Sequence, residues 1–174
     1  MRRRTLSWPL TDEERLLQAT AREFAQRELA PGAGRRDEEE AFDRTLFARM
    51  GELGLTAAPF SEAVGGAGFS YVGWSLVMEE IARADMASAV CLSVHILSQY
   101  PVVTWGSAEQ RERWLTPMQT GELLGAFALT EPHAGSDAAA IRTRAVRVNG
   151  DGEPLPLDAP IAAIAGYRLE GSKI

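Results

Sequence analysis

The sequence predicts an α+β chain: an all-helical N-terminal domain, then the first strands of an antiparallel β-domain, the chain ending at Ile174 before that β-domain is complete. Three observations carry this reading. Apolar residues recur at spacings of three and four, between capping residues, from about residue 10 to 121. From Thr143 the period changes to two. Asn149-Gly150 is a strong hairpin-turn pair, and Tyr167-Arg168-Leu169 can supply the return strand. Helices and strands are therefore segregated along the chain, with domains expected at 1–121 and 122–174.

The first helix starts at Thr11, which forms a Thr-x-x-Glu capping box with Glu14; Asp12 and Glu13 complement the positive end of the helix. Leu16, Leu17, Phe24 and Leu29 give it an apolar stripe, and Pro31-Gly32 ends it. Gly32 to Glu40 reads as a polar connection. Phe42, Leu46, Phe47, Met50 and Leu53 mark one face of a second helix closed by Gly54. Leu55 to Phe69 is a loop holding Val64-Gly65-Gly66-Ala67-Gly68. It lacks the Gly-Lys-Ser/Thr ending of a phosphate-binding loop, so a flexible helix connection is the expectation.

Ser70 caps a third helix, through Trp74, Leu76, Val77 and Ile81. Asp85 caps a fourth, expected from Met86 to about Tyr100 and ended by Pro101; apolar nearly all round, it should be central in its domain. His95 within it reads as a hydrogen-bonded core or pocket-edge residue. Ser107 and Gln110 form a second capping box for a fifth helix reaching Met118, with Gly121 after it. In the β-region, Asp151 to Gly166 carries three prolines and reads as an inserted loop. Arg142, Arg144 and Arg147 are expected to be solvated.

Hydrophobic residues make up 45% and charged residues 24%, a soluble globular composition. No uninterrupted apolar run approaches the roughly 20 residues of a membrane span. The net charge of −6 argues against a nucleic-acid surface. Met1-Arg2-Arg3-Arg4 is basic, but no signal-peptide core follows, so a cytoplasmic protein is expected. Cys91 is the only cysteine, which excludes an internal disulfide and a cysteine-rich metal site; a buried, inert thiol is expected.

The most informative stretch runs from Gly125 to Asp137. The apolar run Ala126 to Leu129 reads as a strand, and Pro132 ends regular pairing. His133-Ala134-Gly135-Ser136-Asp137 is a tight loop, with the hydroxyls of Thr130 and Ser136 at its two ends. Exposed amides and two hydroxyls after a strand suit an extended polar ligand with a carbonyl-bearing ring and phosphates.

Leu129-Thr130-Glu131-Pro132-x-Ala134-Gly135-Ser136-Asp137 closely resembles the flavin-binding signature of the acyl-CoA dehydrogenases, and Glu170-Gly171-Ser172-Lys173-Ile174 resembles a flanking segment of the same family. The resemblance covers most of the chain. It implies FAD as cofactor, lined by Phe127, Ala128, Leu129, Thr130, Gly135 and Ser136. Thr130 would hydrogen-bond the isoalloxazine, and Ser136 would reach the pyrophosphate and lie beside the acyl-CoA substrate. It implies α,β-dehydrogenation of an acyl-CoA thioester in fatty acid metabolism, an electron-transferring flavoprotein as acceptor, and a homo-oligomer at full length. The family's catalytic glutamate belongs to a C-terminal helical domain, so no catalytic residue is assigned and this portion is expected to be inactive alone. Glu131 is expected to be a structural carboxylate and His133 a solvent-facing loop residue; no metal ligands are assigned. Two alternatives remain: a non-catalytic helical interaction module, or the same fold used as an acyl-CoA oxidase or flavin monooxygenase.

Overall fold

A computed structural model describes residues 9–174; the basic Met1–Arg4 start lies outside the described residues. The chain forms two compact units, Met1–Phe127 and Ala128–Ile174. The first is helical and the second holds the strands, as the α+β reading expects.

In the helical unit, α1 spans Asp12–Phe24, with the Thr11–Glu14 capping box formed in both directions. A π turn at Ala25–Leu29 and a 3-10 turn at Ala30–Gly32 carry it into a short helix α2, Ala33–Glu38, where the sequence reading had only a polar connection. Pro31 sits at the start of the 3-10 turn, where its missing amide costs no hydrogen bond, so it redirects the chain rather than ending helical structure. The buried stripe is Leu17, Ala21, Phe24, Ala25 and Leu29, while Leu16 faces out at 70% exposure. Next come α3, Arg44–Glu52, capped by Asp43, and α4, Tyr71–Ala84, capped by Ser70.

Helix α5, Met86–Trp105, is capped by Asp85 and runs straight through Pro101 for one further turn, to Gly106. It is 20 residues long, with a mean hydropathy of 1.4 over an 18-residue window, so by length and composition alone it could cross a membrane, a test that core helices also pass. It is a core helix on one face only. Ala89, Leu92, His95, Ile96 and Gln99 are buried, whereas Met86, Val90, Leu97 and Trp105 are exposed. The last helical stretch is continuous from α6, Ala108–Gln110, through a π turn to α7, Thr116–Gln119, and the Ser107–Gln110 capping box is present.

The core of this unit gathers Leu17, Phe24, Leu29, Phe47, Met50, Val77, Ile81 and Leu92. Burial of this apolar surface, at about 25 cal/mol per Å², is its main stabilising term. Two ion pairs tie its helices together, one between a buried carboxylate and a half-exposed arginine and one buried on both sides. Glu80 of α4, 1% exposed, accepts Arg22 of α1 at 2.7 Å and Gln18 at 3.2 Å. Arg36 of α2 donates to Asp85 at 2.7 Å and to the Leu29 carbonyl at 2.6 Å. Helical periodicity does not reveal such pairs, because both partners sit at positions that look solvated.

The Gly65–Gly68 loop is not a flexible connection. Its amides at 65, 66, 67 and 68 donate to the carbonyls of Glu62, Ser61, Ala57 and Phe60, at 2.7–3.3 Å. With those donors engaged internally, none is left to cradle a phosphate.

In the second unit, β1 (Arg144–Val148) pairs antiparallel with β2 (Gly166–Glu170), in register from Arg144 opposite Glu170 to Val148 opposite Gly166. Asn149 does turn the chain, accepting the amides of Asp151 and Glu153 on its side-chain oxygen. The inserted segment then folds back: Leu155 donates to the Arg147 carbonyl and Ala165 to that of Val148. The insertion thus lies along β1 before β2 begins, and Arg147 donates to the Leu157 carbonyl. The expected strand at Ala126–Leu129 does not form. No strand pairs with it among the described residues, so the run carries no ladder.

Candidate functional site

The Thr130–Asp137 loop is built around a single carboxylate. Pro132-His133 makes a tight turn, closed by paired backbone bonds between Glu131 and Ala134 at 2.8 and 3.1 Å. The Glu131 side chain points inward and is 4% exposed. It accepts the Arg142 amide at 2.9 Å, the Thr143 amide at 3.0 Å, the Thr143 hydroxyl at 2.5 Å and the Lys173 ammonium at 3.1 Å. His133 Nε2 lies 3.4 Å away. The Thr143 hydroxyl, then the Arg142 amide and the other donors hold the carboxyl well below the usual carboxylate range, against the opposing effect of burial.

Lys173 also donates to the Leu129 carbonyl at 2.9 Å, and the Ile174 amide donates to the Thr130 carbonyl at 3.0 Å. The carbonyls of Leu129 and Thr130 are therefore engaged from the Lys173-Ile174 segment. The motif's donors are not: the amides and hydroxyls of Thr130 and Ser136, and the amides of Ala128, Leu129 and Gly135, donate to no partner among the described residues. Ala128, Thr130 and Ser136 are exposed, and Leu129 and Gly135 half-buried. This arrangement offers neutral hydrogen-bond donors, as suits the carbonyls of a planar ring and a diphosphate.

Within the helical unit, Phe127 at its end is 52% exposed. The Gly125 amide donates to His95 Nδ1 at 3.0 Å, and His95 Nε2 lies 2.9 Å from the Met118 carbonyl. His95 is fully buried, with its ring edge-on to Phe47 at 5.0 Å. Burial lowers its pKa, against the opposing effect of the Met118 carbonyl. The core reading of His95 holds.

The sequence profile of the acyl-CoA dehydrogenase N-terminal domain matches residues 11–122. The chain belongs to the acyl-CoA dehydrogenase family. It is 42% identical over 143 residues to the mitochondrial short-chain specific acyl-CoA dehydrogenase of Mus musculus, a match covering 82% of this chain and 34% of that one. It superposes on butyryl-CoA dehydrogenase from Megasphaera elsdenii with a TM-score of 0.79 at 35% identity, over 97% of this chain and 42% of the other. An acyl-CoA dehydrogenase from Bacillus anthracis, complexed with FAD, matches with a TM-score of 0.78 at 33% identity, over 94% and 26%. The chain spans about a third to two fifths of the length of the curated relatives it matches.

For an acyl-CoA dehydrogenase chain, the expected flavin-facing residues fall into two groups. Thr130, Gly135 and Ser136 share one loop with Ala128 and Leu129, and Phe127 closes the helical unit. Glu131 is structural, as expected. Thr143 and Lys173 are its partners, which sequence reasoning missed. One signal was available: Lys173 is the single lysine in an otherwise arginine-based chain. Its compact ammonium meets one carboxylate and one carbonyl, a geometry that does not need the flat guanidinium fork. Among the described residues no cluster of His, Cys, Asp and Glu could hold a metal ion. Cys91 is half-buried, and burial followed by the Asp85 charge pushes its thiol pKa up, in keeping with an inert residue.

Proposed function

We propose that this chain supplies the helical domain and the flavin-facing loop of an FAD-dependent acyl-CoA dehydrogenase acting on an acyl-CoA thioester, in the cytoplasm. The reading is carried by one observation: Thr130 and Ser136 keep both hydroxyl and amide without a partner among the described residues, while Glu131 between them is fully engaged. In this reading Phe127, Ala128, Leu129, Thr130, Gly135 and Ser136 line the FAD. Thr130 donates to the ring, and Ser136 donates to the diphosphate and borders the acyl-CoA. When bound, FAD supplies the two-electron oxidation.

The chain positions that cofactor and does not supply the base. Glu131, next to Thr130, is held as a carboxylate whose lone pairs are taken by Arg142, Thr143 and Lys173. In this reading the base comes from outside this chain, which is inactive alone. Reducing equivalents pass to an electron-transferring flavoprotein, and the assembled enzyme is a homo-oligomer.

The test is to isolate the native gene product that contains this chain. Its bound flavin is identified by absorbance and mass, and acyl-CoA oxidation is assayed with a dye acceptor. FAD that is lost on combining Thr130→Ala with Ser136→Ala supports the reading. A flavin-free product, or flavin indifferent to both changes, overturns it.

A further inference from the structure

We infer that His95 is a positioning residue for the flavin-facing segment: its Nδ1 holds the Gly125 amide and so sets the backbone that delivers Phe127. This rests on the flavin reading above. The bond partners themselves determine the tautomer. An amide can only donate, so Nδ1 must accept from Gly125; a carbonyl can only accept, so Nε2 must carry the proton for Met118. The neutral Nε2–H form satisfies both contacts, and burial of the ring, which opposes charging, favours it.

Gly125 is held in a second way. A Cβ there would fall within contact distance of the Ser98 hydroxyl and of Met118 Cε, so the backbone lies directly against α5 with no room for a side chain. Gly125 is thereby tethered to α5 and to the end of α7 through one imidazole, two residues before Phe127. The next segment has no sheet partner among the described residues to hold it. Upstream, the Leu123 amide donates to the Pro117 carbonyl; the His95 bond is the polar restraint at Gly125 itself, and Gln99, one turn further along α5, donates instead to the Thr56 and His95 carbonyls.

Two isosteres separate positioning from mere core filling. In H95N the Asn Oδ1 takes the place of Nδ1 and can accept the Gly125 amide. In H95Q the Gln amide nitrogen takes the place of Nε2 and keeps only the Met118 contact. The expected result is wild-type hydrogen-exchange protection of the Gly125 amide in H95N and loss of that protection in H95Q, at similar melting temperatures. FAD affinity of the native gene product should follow the same split, about tenfold weaker in H95Q than in H95N. Equal behaviour of the two variants, or changes that track melting temperature alone, would overturn the inference.

Imidazole 15N shifts of the wild-type chain provide a check that needs no variant. A protonated Nδ1 at neutral pH sinks the inference outright, and an Nε2–H tautomer supports it. If Gly125 protection splits as expected but wild type holds no FAD, the flavin reading fails while the His95–Gly125 restraint stands.

Discussion

Thr143 meets Glu131 twice, through its amide at 3.0 Å and its hydroxyl at 2.5 Å, on the same carboxylate oxygen. A residue at the entrance of β1 thus fixes the carboxylate in the middle of the motif loop. The Thr-Glu-Pro turn is shaped by what Glu131 binds, rather than by turn propensity alone. The motif divides its labour: Glu131 holds the loop, and its neighbours Thr130 and Ser136 face outward.

Replacing Glu131 by Gln is expected to loosen the second unit. The amide keeps the shape but loses the charge that Lys173 pairs with, and it presents a donor to the donors around it. The melting temperature should fall by several degrees, with the Arg142 and Thr143 amides exchanging faster. The pH dependence has a definite sign. The carboxyl pKa in the folded state lies below its ordinary 4.5, so its contribution is full above that value and is lost as pH falls toward the folded-state pKa. E131Q should flatten this acid limb of the stability profile.

Thr130→Ala and Ser136→Ala should behave in the opposite manner. Both side chains are exposed and without hydrogen-bond partners among the described residues. Stability should stay within about 0.5 kcal/mol of wild type, measured by urea unfolding, while FAD affinity drops. A large loss of stability would assign these hydroxyls a structural role instead.

The Arg36–Asp85 pair should be the most sensitive polar contact of the helical unit. Asp85 is 8% exposed and also caps α5 through Ser88. Burial opposes its ionisation, but the bonds from Arg36 and then Ser88 outweigh this and lower its pKa. Arg36→Met leaves a buried carboxylate without its partner and should cost about 3–5 kcal/mol in chemical denaturation. Adding Asp85→Asn, which keeps an N-cap acceptor, should recover part of that loss.

His95 gives the helical unit a pH limb of its own. Its folded-state pKa lies below the ordinary 6.5, so the unfolded chain takes up a proton first as pH falls. Stability attributable to His95 is complete above pH 6.5 and declines below it. H95N lacks the titrating ring, and comparing its urea midpoints with those of wild type across this range isolates the effect.

Local chemistry determined much of this molecule. Capping side chains at Thr11, Ser70, Asp85 and Ser107 start their helices where the sequence places them, because each bonds amides within its own first turn. The α+β order and the outward-facing motif were legible for the same reason: they follow from periodicity and short-range pattern. Tertiary structure alone decided what requires partners distant in sequence. Pro101 stays helical inside a packed helix, and Arg36 and Glu80 are buried because Asp85 and Arg22 meet them. The Gly65–Gly68 loop spends its amides on its own backbone, and Ala126–Leu129 finds no strand to pair with among the described residues. The bonds of Glu131 to Thr143 and Lys173, and of His95 to Gly125, span 12, 42 and 30 residues. No sequence periodicity reports contacts of that range; the folded backbone brings those donors and acceptors together.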